Sequence, residues 1–103
     1  MIPSKVKITV LKRFKPSEVF DKMPVTPCEH LDACEFLTDG QTFFVDKDLS
    51  KPEGFCTSAW VTIYPTIRVL GFGGNLPWWK EKGISISCCS DGLRPVIFKL
   101  ERV

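Results

Sequence analysis

Hydrophobic and polar residues alternate from Lys5 to Lys12, with Val6, Ile8 and Val10 on one side and Lys5, Lys7 and Thr9 on the other. A period of two predicts a half-buried strand. No period persists from Phe14 to Gly40, where Pro16, Pro24 and Pro27 break the run and Ser17 is placed to cap only a short helix through Met23. This loop-rich segment carries Cys28, His30 and Cys34. Asp39-Gly40 is a turn signal, and Thr42 to Val45 reads as a second strand paired with the first. Asp46 to Gly54 is a polar connection.

The period then changes. Cys56, Trp60, Ile63, Tyr64, Ile67 and Leu70 recur at three- and four-residue spacing, which predicts an amphipathic helix over Phe55 to Leu70. Pro65 is expected to kink or divide it, because proline lacks the N–H and its ring clashes with the preceding turn. Gly71-Phe72-Gly73-Gly74 ends it. A glycine run after a helix, rather than before one, disfavours a phosphate cradle or dinucleotide fingerprint. Ile84 to Cys88 and Val96 to Val103 read as two strands of a hairpin joined through Ser90-Asp91-Gly92, with Pro95 at its exit. The order strand, strand, helix, strand, strand predicts an α+β domain: a small antiparallel sheet, barrel-like if it curls, covered by one main helix.

The 103 residues, 44% hydrophobic and 25% charged, suffice for one compact domain spanning 1–103. A formal charge of +2, evenly spread, points to neither a nucleic acid nor a membrane surface as partner. No stretch approaches the about 18 consecutive apolar residues of a membrane span, and Lys5, Lys7 and Thr9 interrupt any signal-peptide core. The expected setting is soluble and cytoplasmic. Five cysteines are an odd number and cannot all pair within one monomer, which makes reduced thiols with a chemical role the main question.

Cys56 follows Pro52-Glu53-Gly54-Phe55 and is expected in the first turn of the main helix, where unpaired N–H groups and the helix dipole favour a thiolate. The alternative is a small buried hydrophobe that opens the core face. Cys28, His30 and Cys34 gather two thiols and an imidazole within one loop, a set suited to zinc or iron, although the spacing is not a paired C-x-x-C knuckle. Cys88 and Cys89 are adjacent, and strand alternation admits only one of them to a given site. Cys89 is the better placed, with Asp91 and Arg94 near enough to orient or charge it. Arg68 is a candidate for an anionic substrate group or, more simply, a surface arginine. Trp60, Tyr64, Phe72, Trp78 and Trp79 cluster in and after the helix; most must serve the core, leaving one to line a pocket or a subunit contact.

The motifs Pro52-Glu53-Gly54-Phe55-Cys56, Ala59-Trp60, Gly73-Gly74 followed by Pro77-Trp78, and Cys89-Ser90-Asp91-Gly92-Leu93-Arg94-Pro95-Val96-Ile97-Phe98 resemble those of a family of small uncharacterised microbial proteins. The resemblance runs from Lys5 to the C-terminus, and Cys28, His30, Gly40 and Phe44 match the family's early pattern. It departs in the longer Lys15 to Pro27 segment and in the Cys88-Cys89 pair. It implies that Cys28, His30, Cys56 and Cys89 belong to one site and transfers no activity.

These readings converge on a small enzyme acting on a small molecule, with Cys56, His30, Cys89 and Asp91 catalytic and Trp60, Tyr64, Arg68, Trp78 and Arg94 binding substrate. In a metal-free version His30 is the general base for the Cys56 thiol. In a metal version Cys28, His30, Cys56 and Cys89 hold zinc or iron. The competing classes are a closed metal or redox module and an aromatic-pocket binding protein. Three Trp and eight Phe in so small a domain suggest an exposed apolar patch and a homo-oligomer.

Overall fold

The structure, a computed structural model, describes residues 2–103. Its elements are β1 (Val6–Arg13), a short helix α1 (Pro16–Val19), β2 (Thr42–Val45), the main helix α2 (Thr57–Gly71), β3 (Ile84–Cys88) and β4 (Val96–Arg102). The four strands form one antiparallel sheet in the order β2-β1-β4-β3. It is an α+β fold, and the sheet stays open, with β2 and β3 as its edges, so the barrel-like closure is corrected.

Strand alternation and helix periodicity produce the core together. Val6, Ile8 and Val10 of β1, Phe43 and Val45 of β2, and Val96, Phe98 and Leu100 of β4 point to one face of the sheet and are buried. Ala59, Ile63, Ile67 and Leu70 of α2 close over them. Phe55 sits in the middle, its ring 5.0 Å from Phe43 in an edge-to-face contact and 5.4 Å from Phe98. Burying a ring of this size contributes about 1.5–3 kcal/mol, so this aromatic cluster fixes where the chain enters α2.

Two expectations about helices are modified. The main helix continues through Pro65 without dividing. Pro65 lies on the exposed side, where the Val61 carbonyl that loses its donor can bond to water. The first short helix begins at Pro16, with Lys15 rather than Ser17 at its N-cap. Proline is tolerated at the opening helical position, and the Lys15 N–H donates to the Glu18 carboxylate at 3.0 Å. No helix among the described residues is long and apolar enough to cross a membrane.

Candidate functional site: a three-cysteine cleft

Pro52-Glu53-Gly54-Phe55 is a β-turn. The Phe55 N–H donates to the Pro52 carbonyl at 3.2 Å, and Gly54 takes φ +80°, a conformation that glycine adopts without steric cost. The turn sends Phe55 into the core and leaves the next residue, Cys56, as the N-cap of α2, in extended backbone. The Lys51 ammonium braces the turn through the Phe55 carbonyl at 2.9 Å. The Pro-Glu-Gly-Phe-Cys motif is thus a device that places a thiol at a helix start.

The second wall is the turn between β3 and β4. Asp91 Oδ1 accepts the N–H groups of Leu93 and Arg94 at 3.0 and 3.1 Å, and Oδ2 pairs with Arg94 Nε at 3.2 Å. Partial burial alone would raise the Asp91 carboxyl, but the Arg94 and Leu93 N–H groups and the Arg94 guanidinium outweigh it and hold it below its ordinary value. Inside this turn the Cys89 sulfur accepts the Val96 N–H at 3.3 Å and the Asp91 N–H at 3.5 Å. Cys88, one residue earlier, is exposed.

The third wall was not expected. Cys34, from the loop before β2, joins Cys56 and Cys89 around one cleft of about 330 Å³, with Leu37, Ala59 and Val96 among its apolar lining and Ser58, Ser90, Asp91 and Arg94 at its polar side. Arg13 at the end of β1 holds this loop in place, donating from Nη1 to the Cys34 carbonyl at 2.6 Å and from Nε to Asp39 at 3.0 Å. All three cysteines are partly buried and unpaired.

The structure does not bring Cys28 and His30 to this cleft. They line a separate one of about 470 Å³, with Pro16, Phe20, Met23 and Pro27. The His30 side chain is 84% exposed, and its one hydrogen-bond partner among the described residues is Asp32, at 3.3 Å. Cys28 and Cys34 thus line different clefts despite their closeness in sequence. Among the described residues, no three His, Cys, Asp or Glu side chains are grouped so as to hold a metal ion. The predicted ligand set Cys28, His30, Cys56 and Cys89 is therefore not assembled, and His30 is not placed as a base for Cys56.

Of the predicted substrate-binding residues, Arg94 lines the cleft and the others do not. Trp60 and Tyr64 pack partly against the core, 5.4 Å apart. Arg68 lies over the Phe72 ring at 5.2 Å. Trp78 is 74% exposed. Nothing in the sequence distinguished Cys34 from Cys28: its role depends on Arg13, whose tether crosses twenty-one positions of chain. Compared with known protein families, curated proteins and solved structures, the chain matches none.

Proposed function

We propose that the chain is a small cysteine-dependent enzyme that acts on an electrophilic small molecule bound in this cleft, with Cys56 as the reacting thiol. The observation that carries the reading is the convergence of Cys34, Cys56 and Cys89, from three separate segments, on one partly buried cleft. Cys56 stands at the start of a fifteen-residue helix, whose dipole stabilises negative charge on the attacking sulfur. Cys89 is the second thiol: the two N–H groups aimed at its sulfur stabilise charge that develops there during reaction. Arg94 keeps two guanidinium nitrogens beyond its bond to Asp91 and is the group that orients an anionic part of the substrate. With His30 elsewhere, chemistry at the thiol itself is favoured over hydrolysis assisted by an imidazole. Unpaired cysteines suit the reducing cytoplasm.

The competing reading is a zinc- or iron-binding module on the same thiols, which are not grouped for one ion as they stand and would have to close around it; it is favoured by the N–H donors on Cys89, since metal-ligating groups are commonly oriented by such outer hydrogen bonds. One experiment separates the two. Iodoacetamide labelling of protein purified without chelator, followed residue by residue by mass spectrometry, is expected to modify partly buried Cys56 faster than exposed Cys28 and Cys88. Rates that follow exposure, with Cys28 and Cys88 first, defeat the enzyme reading. Protection of Cys56, Cys34 and Cys89 together, with near-stoichiometric metal by elemental analysis, establishes the metal module.

A further inference from the structure

With Cys56 attacking and Cys89 taking the developing charge, neither step uses the third thiol of the cleft, Cys34. Its segment differs from those that carry the other two. Cys56 caps a fifteen-residue helix, and Cys89, next after β3, exchanges two bonds with Val96: its N–H donates to the carbonyl at 3.0 Å and its sulfur accepts the N–H at 3.3 Å. From Phe20 to Gln41 the chain forms no helix or strand. The Arg13 guanidinium holds Cys34 by its backbone carbonyl and not by its sulfur. Closing Cys34 onto Cys56 therefore breaks no helical turn and no strand pairing.

A second thiol that can close on the reacting one narrows the class of electrophile. Alkylation of Cys56 would leave a thioether, which a neighbouring thiol does not cleave, and acylation a thioester, which a second thiol only exchanges for another. In a mixed disulfide, by contrast, a second thiol attacks the first protein sulfur and expels the bound group. Resting on the cysteine-enzyme reading, we infer that the substrate is a small disulfide bearing a carboxylate, which Cys56 and Cys34 reduce as a pair while Cys89 carries the proton. The Cys56 thiolate attacks one substrate sulfur and the substrate S–S bond breaks. Cys89 gives its proton to the departing thiolate, and the Asp91 and Val96 N–H groups stabilise the charge left on its sulfur. The Cys89 thiolate then takes the Cys34 proton, and the Cys34 sulfur attacks Cys56, releasing the second half of the substrate as a thiolate. The substrate gains the two electrons that the Cys34 and Cys56 pair loses, and an external dithiol returns the pair by the same exchange in reverse. Arg94, at the polar side of the cleft, takes the carboxylate with the guanidinium nitrogens that Asp91 leaves free.

The test mixes reduced full-length chain with excess oxidised glutathione, a disulfide with carboxylates, quenches it in acid and maps the links by non-reducing peptide mass spectrometry. A link between Cys34 and Cys56 is expected, and Cys34→Ser is expected to stop with glutathione on Cys56. Cystamine carries ammonium groups in place of carboxylates. With each rate taken relative to that disulfide's rate with a free model thiol, cystamine is expected to form the link about tenfold more slowly, and Arg94→Gln to reduce that gap to about twofold or less. Hydrogen peroxide at the same concentration is expected to be slower than oxidised glutathione. If Cys34→Ser does not fold, the wild-type link and the cystamine ratio decide. Glutathione that persists on Cys56 in the wild type, a link from Cys56 to Cys89 instead, or a link formed as fast by cystamine or by peroxide overturns the inference. Where that happens and iodoacetamide still modifies Cys56 first, the substrate class falls and the cysteine enzyme stands; alkylation that follows exposure ends both.

Discussion

At Asp91 a single carboxylate holds two backbone N–H groups and a guanidinium, and the same turn aims two further N–H groups at the Cys89 sulfur. Substituting Asp91 therefore disturbs the cleft through Cys89 and Arg94 at once. Because its folded carboxyl titrates below its unfolded value, its stabilising contribution is complete above the unfolded value of about 3.9 and is lost as pH falls through the lower folded one. Asp91→Asn is expected to change stability near neutral pH by less than about 1 kcal/mol, since the ion pair is half exposed, and to flatten the loss of stability in acid. Urea midpoints measured across the acid range check this; an acid limb as steep as wild type counts against a role for Asp91. Cys89 was legible in the sequence because strand alternation separates it from Cys88 and a turn follows it. Cys34 was not, because the partner that sets its position lies on another strand.

The elements themselves were mostly legible, since they rest on periodicities of two and of three to four. What the sequence left open was the use of its glycines and tryptophans. The segment after α2 serves packing: Arg102 donates to the Leu70 and Gly74 carbonyls at 3.1 and 2.7 Å, closing the helix end onto β4, and Asn75 accepts the Gly83 N–H at 2.6 Å. A Cβ on Gly74 would lie 2.8 Å from the Val69 carbonyl oxygen, which is itself hydrogen-bonded and has no room to yield. Gly74→Ala is expected to cost about 1–3 kcal/mol by chemical denaturation, and Arg102→Ala a similar amount through the carbonyls it strands. At exposed Pro65 the expectation is reversed. Pro65→Ala restores an N–H to the helix and should stabilise it by up to about 3 kcal/mol, less what proline's rigidity contributes through the unfolded chain. A fall in stability on that change would show that the helix needs the proline's shape.

For the whole molecule, the strand order β2-β1-β4-β3 decides what the site contains. With β1 and β4 at the centre, the end of β1 and the start of β4 lie side by side, Arg13 opposite Val96, and the Arg13 tether brings the loop before β2 against the turn before β4. Phe55, packed on Phe43 and Phe98, delivers the start of α2 to the same place. Sequence spacing cannot show this closure, because it is made by pairings between distant segments, whereas Cys28 and His30 are near Cys34 only along the chain. The two clefts should therefore separate experimentally. Replacing Cys28 by Ser and His30 by Ala together removes exposed groups and is expected to leave stability within about 0.5 kcal/mol and the Cys56 alkylation rate unchanged. Arg13→Ala, at the end of β1, removes the bonds to the Cys34 carbonyl and Asp39 and is expected to raise the alkylation rate of Cys34 by loosening its loop. Arg13→Lys keeps the charge but loses the fork that spans both partners, so it should restore little. A Cys56 rate that falls with Cys28 and His30, and a Cys34 rate indifferent to Arg13, would return the site to the loop that the sequence first suggested.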